Sequence, residues 1–182
     1  MLEETITVNG REFNVELTHD DCMGPPWKEH DGHGDVSDWR RPNYAGYTSL
    51  APGERVLWRD SRDRDALVYD WQGAIAKAKA EGWGLCDDEL RKLADELGRE
   101  PTRGQIVERA VQRDFDYLRR YCAGDWWFSV ITVTDPISGL YECIGGVESD
   151  CDEYVNELAK ELAEQIPEPE FCECCGQVTN AP

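Results

Sequence analysis

All three histidines of the chain lie between residues 19 and 33, among aspartates, glycines and tryptophans. The stretch opens with His19-Asp20-Asp21-Cys22 and later reads Trp27-Lys28-Glu29-His30-Asp31-Gly32-His33-Gly34-Asp35. Imidazole and carboxylate together suit zinc, manganese or iron. His30, His33, Asp31 and Asp35, with His19 and Asp20 close in sequence, can therefore hold a divalent metal. A catalytic metal takes three such ligands and keeps one position open, but no His-Glu-x-x-His signature is present. The other reading has Gly32 and Gly34 turning the chain and the aspartates capping those turns. Trp27 and Trp39 then pin the loop to a core or line a metal-free partner surface. Cys22 near His19 forms a thiol–imidazole pair in sequence only, which says little about geometry.

Two further patterns carry chemistry. The tail Cys172-Glu173-Cys174-Cys175-Gly176 contains one half of a zinc knuckle, Cys-x-x-Cys-Gly. A closed zinc site needs four ligands. Cys174, Cys151 or Cys143 can complete it, and the alternative is a loose, reduced tail. The second pattern is acidic. Asp150, Glu153, Glu157, Glu161, Glu164 and Glu168 recur at spacings of three or four, which puts them on one stripe of a helix, with neighbours roughly 5–6 Å apart. Val155, Leu158, Ala159, Leu162 and Ile166 fill the opposite face. Such a stripe can imitate a phosphate backbone and occupy an arginine-lined groove, or it is simply a solvated face. Nucleophilic catalysis has little support: no Gly-x-Ser-x-Gly, Walker loop or dinucleotide fingerprint appears.

The elements that must position these groups follow from periodicity and turn chemistry. Over residues 4–18, alternating apolar residues flank Asn9-Gly10, the signature of a type I′ hairpin. This places Ile6 opposite Phe13, on one face with Val8, Val15 and Leu17. A long loop is expected over 19–52, and connections of that length are usually functional. Strands are expected at 55–59 and 66–69, around a charged tip at 60–65. Helices follow at about 71–81 (N-cap Asp70, stop Gly82), 87–97 (N-cap Asp87), 103–122 (capping box Thr102-x-x-Gln105) and 150–165 (N-cap Ser149). Strands at 127–134 and 140–148 lie between the last two helices. The sum is an α+β fold, one mostly antiparallel sheet with three to four helices packed on it. It is read as a single domain over 1–166 with a Cys-rich tail at 167–182.

Charge bounds the partners. The net charge is −19 over 182 residues, which disfavours direct binding to nucleic acid or anionic membrane and favours a basic partner. The charge is uneven: residues 1–38 and 135–182 are strongly acidic, whereas 39–134 hold sixteen acids and sixteen bases. Met1-Leu2-Glu3-Glu4 lacks the basic start and apolar core of a signal peptide, and no apolar run approaches a membrane span. A cytoplasmic protein with reduced cysteines is expected.

The chain resembles small acidic proteins encoded by tailed bacteriophages and prophages. The resemblance covers most of the length and rests on Gly24-Pro25-Pro26-Trp27, His30-Asp31-Gly32-His33-Gly34, Tyr69-Asp70-Trp71 with Ala74 and Ala78, Gly82-Trp83-Gly84, Ala110-Val111 with Asp114 and Leu118, and Gly146-Val147-Glu148-Ser149-Asp150. Where these proteins read Ser-Leu-Trp-Gly-Ile-Glu-Ser-Asp, this chain has Cys143 to Asp150 without the tryptophan. The Cys-rich tail lies outside their pattern. The resemblance implies phage origin and action in the cytoplasm of an infected bacterial host, and nothing about chemistry. The expected function is an acidic interaction protein that inhibits a basic host protein or nucleoprotein complex of defence or transcription. The alternative is a metal-dependent enzyme, or a metal-stabilised binder, centred on residues 19–35. Zinc is the metal expected if one is bound, and exposed loop tryptophans would also suit a homodimer.

Overall fold

The computed structural model describes residues 2–40, 50–60, 62 and 65–180. In chain order the elements are β1 (Leu2–Val8), β2 (Arg11–His19), α1 (Pro26–Glu29), β3 (Val36–Arg40), β4 (Glu54–Arg59), β5 (Ala66–Asp70), α2 (Trp71–Glu81), α3 (Asp87–Leu97), α4 (Arg103–Ala123), β6 (Phe128–Thr134), β7 (Tyr141–Glu148) and α5 (Asp152–Gln165). The α+β class and the antiparallel pairing agree with the sequence reading. The strands, however, divide between two sheets, β1-β2-β6-β7 and β3-β5-β4. Each sheet belongs to its own compact unit. Unit 1 comprises residues 1–23 and 126–182, and unit 2 comprises residues 24–125.

Unit 1 starts from the hairpin. Asn9 and Gly10 both have positive φ, 51° and 79°, as a type I′ turn requires. Ile6 therefore faces Phe13 and Val8 faces Arg11. β2 then pairs with β6, Val15 opposite Val133 and Leu17 opposite Ile131. Phe13, Val15, Ile131 and Val133 form one buried face, and Ala159, Leu162, Ala163 and Ile166 of α5 close over it. Burying a leucine such as Leu162 contributes roughly 1.5–3 kcal/mol. Between β6 and β7 the register slips beside Gly145-Gly146. Asp20 occupies the bulge: its carboxylate accepts from Gly146 N at 2.8 Å and from Cys22 N at 3.0 Å. Asp20 is thus a buried structural acceptor within unit 1.

Arg11 fastens the unit. Its guanidinium donates to the buried Asp135 carboxylate at 2.7 Å, and to the Ile166 and Pro167 carbonyls, at 3.1 and 3.0 Å, where α5 ends. Burial alone would raise the Asp135 carboxyl. Hydrogen bonds from Ile137 N and Ser138, with the Arg11 charge, outweigh it and hold the group below the ordinary carboxylate range. A folded pKa below the unfolded value of about 3.9 gives stability above that pH, lost as pH falls through the folded value. Arg11→Met is expected to destabilise unit 1 by about 2–3 kcal/mol at pH 7. In urea titrations carried down from pH 7, the gap to wild type should shrink as the pH falls below about 4 and through the depressed folded value at which Asp135 itself becomes protonated.

Unit 2 packs α2 and α4 on its sheet. Asp70 caps α2 by accepting from Gly73 N at 2.8 Å, and Gly82 ends the helix in left-handed conformation. Thr102 and Gln105 form the expected capping box of α4. Val107, Val111, Phe115 and Leu118 of α4 bury with Leu57, Leu67, Tyr69, Trp71, Ala74 and Ala78.

Three boundaries differ from expectation. The loop expected over 19–52 contains α1 and strand β3, paired with β5; residues 41–49 of it lie outside the described residues, as do 61, 63 and 64 of the expected charged tip. Cys86, not Asp87, is the N-cap of α3, because Glu89 reaches back to Cys86 N at 3.2 Å. Ser149 does not cap α5. Its hydroxyl accepts from Trp127 N at 3.0 Å, leaving Cys151 at the cap and starting the helix at Asp152. Among the described residues, no helix is long and apolar enough to cross a membrane.

Candidate functional site

Residues 1–23 of the acidic N-terminal end fold into the same unit as the acidic C-terminal end, whereas residues 24–38 belong to unit 2. Unit 1 carries eighteen acidic residues against two basic ones, Arg11 and Lys160, whereas unit 2 carries twenty against seventeen. Unit 1 therefore holds −16 of the net −19 in fewer than half of the residues. Arg11 is already committed to Asp135, so Lys160 is the remaining base.

Helix α5 presents this charge. Its buried face is fixed by Ala159, Leu162, Ala163 and Ile166, which leaves Glu153, Glu157, Glu161 and Glu164 exposed on the opposite face. Among the described residues these four carboxylates have no ion-pair partner. The expected stripe is shorter than the sequence pattern. Asp150 sits in the turn before the helix and Glu168 lies beyond its last residue, so helical geometry does not align them; both are exposed. Tyr154, half exposed, stands beside Glu157 and Glu161 at spacings of three and seven. Apolar and aromatic groups are exposed elsewhere on unit 1 at Trp127, Ile137, Tyr141 and Phe171.

The histidine loop of unit 2 has a different logic. Its centre is Asp114, a buried carboxylate on α4. Asp114 Oδ2 accepts from the Tyr69 hydroxyl at 2.6 Å and from Gly34 N at 2.8 Å, and Oδ1 lies 2.6 Å from His33 Nδ1. Lys77 donates to the His33 carbonyl at 2.9 Å, and the His33 ring stacks on Tyr117 at 5.5 Å. Burial first, and then the Asp114 charge, push the Tyr69 hydroxyl far above its ordinary range, so it stays protonated and donates. A carboxylate on Nδ1 fixes the orientation and tautomer of an imidazole, the arrangement that prepares Nε2 for proton transfer or metal binding.

The expected metal ligands do not converge here. Among the described residues, no group of three potential ligands includes His30, Asp31, His33 or Asp35. His30, Asp31 and Asp35 are exposed, while His33 is tied to Asp114. His19 belongs to unit 1, where its ring meets Asp21 at 3.1 Å. Trp27 is half-buried, edge-on to Tyr121 at 6.0 Å, and anchors its loop; Trp39 is exposed. Gly34 is required by close approach: a Cβ there would lie 2.4 Å from the Tyr69 hydroxyl. Tyr69 is fully buried and cannot yield. Gly34→Ala is expected to lower the stability of unit 2 by about 2–3 kcal/mol, read from its thermal or urea midpoint.

The cysteine tail forms a short hydrogen-bonded hairpin. Phe171 and Val178 form a bridge, Cys172 N donates to the Gln177 carbonyl at 2.8 Å, and Gly176 N donates to the Cys172 carbonyl at 2.8 Å. Thr179 N donates to the Glu170 carbonyl, and the Asn180 side chain closes the base on Glu168 and Glu170. This short hairpin brings Cys172, Cys174 and Cys175 together, with one sulfur of each within 4.8 Å of the others. The adjacent Cys174 thiol, with the backbone N–H groups of Cys174 and Cys175, lowers the Cys172 thiol to about 7, and the Cys174 thiol is raised in return. Cys143 and Cys151, the other expected donors, are exposed and belong to no such cluster among the described residues. Cys122 is a different case: burial pushes its thiol up to about 11, which leaves it a poor nucleophile.

Asp114 was absent from the expected site residues. Its signal was present nonetheless: a charged residue on the apolar stripe of α4, at the spacing of Val107, Val111 and Leu118. No protein family, curated protein or solved structure compared with the chain gives a match.

Proposed function

We propose that the chain is an interaction protein whose unit 1 covers a basic, nucleic-acid-binding surface of a partner and so blocks it. The observation that carries this reading is the concentration of charge: −16 in unit 1 against −3 in unit 2. Solubility alone would be served by spreading the net negative charge over both. The four exposed glutamates of α5 supply carboxylates at intervals that suit arginine or lysine side chains lining a phosphate groove. Tyr154, Tyr141 and Trp127 add the exposed aromatic groups that protein interfaces favour. The resemblance to phage proteins supports a host defence or transcription complex as the target, met in the bacterial cytoplasm.

The test uses the immobilised full chain and a bacterial lysate at low ionic strength. The expected capture is a protein that itself binds nucleic acid, released by duplex DNA added as competitor and by raised salt, since exposed charges are screened. Capture that duplex DNA does not displace, or that persists undiminished at high salt, overturns the proposal.

A further inference from the structure

We propose that the tail hairpin binds one zinc ion through Cys172, Cys174 and Cys175, and that the fourth position is left to water or an external donor. This reading is independent of the acidic surface. Tetrahedral zinc with bonds of 2.3 Å sets sulfur–sulfur separations of about 3.8 Å. The three sulfurs fall around that value: the Cys172–Cys174 pair is at 2.8 Å and no separation among the three exceeds 4.8 Å. Rotation of exposed thiol side chains is enough to equalise them.

The backbone is already arranged for the ion. Cys172 and Gln177 close the hairpin, and Gly176, at φ 72°, turns its N–H back onto the Cys172 carbonyl. No heavy atom lies within 4 Å of a Cβ built at Gly176, so backbone conformation, not crowding, calls for glycine there. Zinc displaces the thiol protons to solvent, three if all three sulfurs bind as thiolates. Among the described residues the ligand cluster contains these three cysteines and no fourth group. Structural zinc sites are closed by four protein ligands, whereas three ligands leave a position for exchange. Cys174 and Cys175 are exposed and Cys172 is half-buried, so an external donor can reach the ion.

The experiment adds Zn²⁺ to reduced full-length protein, removes the excess by gel filtration, and reads native mass and X-ray absorption. One zinc per chain with three sulfur neighbours and one oxygen or nitrogen is expected. Cys172→Ser and Cys175→Ser should each lose the ion, while the double variant His30→Ala/His33→Ala should keep it. Circular dichroism checks that the variants remain folded. In the unaltered protein, Co²⁺ should give the near-ultraviolet charge-transfer band of thiolate ligation. Absence of retained zinc, four sulfur neighbours, one zinc per two chains, or retention in both serine variants each overturns the proposal. Glu157→Lys/Glu161→Lys should leave the zinc content unchanged, which keeps failure here separate from failure of the acidic surface.

Discussion

Asp114→Ala is expected to destabilise unit 2 by about 3–5 kcal/mol, far more than Asp114→Asn. One buried carboxylate satisfies the Tyr69 hydroxyl, Gly34 N and the His33 ring. Alanine leaves the first two as donors without acceptors in a site closed to water, and each such loss costs about 1–3 kcal/mol. It also leaves a void beside Tyr69. Asparagine answers most of this. Its carbonyl can take the place of Oδ2 and accept from Tyr69 and Gly34, while its amide donates to His33 Nδ1 in the tautomer protonated at Nε2. The remaining loss is the charge assistance, about 1–2 kcal/mol. Urea unfolding of the three proteins at pH 7 decides the matter. If Asn and Ala fall together, or if Ala costs less than about 1 kcal/mol, Asp114 does not organise the loop. The same series tests the histidine. Nuclear magnetic resonance of the His33 ring should show its preferred tautomer change between wild type and Asp114→Asn, a response that a packing role alone would not produce.

How much of this was legible depends on the range of the interactions. The hairpin could be read because Asn9-Gly10 and the alternation around it fix turn and register within fifteen residues. α2 and α4 could be read because Asp70, Gly82 and the Thr102–Gln105 box act within one turn of each end. The division into two sheets could not. It depends on β2 choosing β6, more than a hundred residues away, over the nearer strands, and alternation marks a buried face without naming its partner. β3 was hidden because Val36-Ser37-Asp38-Trp39-Arg40 is too polar to signal a strand; its pairing with β5 makes it one. Ser149 is a good cap by type, but the hydroxyl was taken by Trp127 N. The acidic stripe was legible as a periodicity, and its ends were not, because Asp150 and Glu168 continue the spacing after the helix has stopped. The histidines drew attention as a metal set, yet the carboxylate that holds His33 and its neighbour Gly34 sits about eighty positions away on α4.

Reversing charge on α5 should separate a located surface from bulk acidity. Glu157→Lys/Glu161→Lys adds four positive units to a chain of net charge −19. Asp95→Lys on α3 and Glu108→Lys on α4, at two exposed positions of unit 2, together add the same four. If binding follows total charge, the two variants weaken it equally. If it follows the stripe, only the first does, because a lysine facing a basic groove replaces attraction by repulsion at contact range. Close charge pairs across protein interfaces couple by about 1.5–7 kcal/mol, so two reversals should weaken association by about a hundredfold or more at one salt concentration. The control should change it by less than about threefold, within the small effect of distant exposed charges at physiological salt. None of the four positions lies on a buried helix face, so both variants should keep the wild-type thermal midpoint within a few degrees. The partner captured from lysate serves as ligand, and the dissociation rate is the quantity to follow, since lost contact pairs act there while lost steering acts on association. Equal weakening by the two variants would reduce unit 1 to a solvated acidic face.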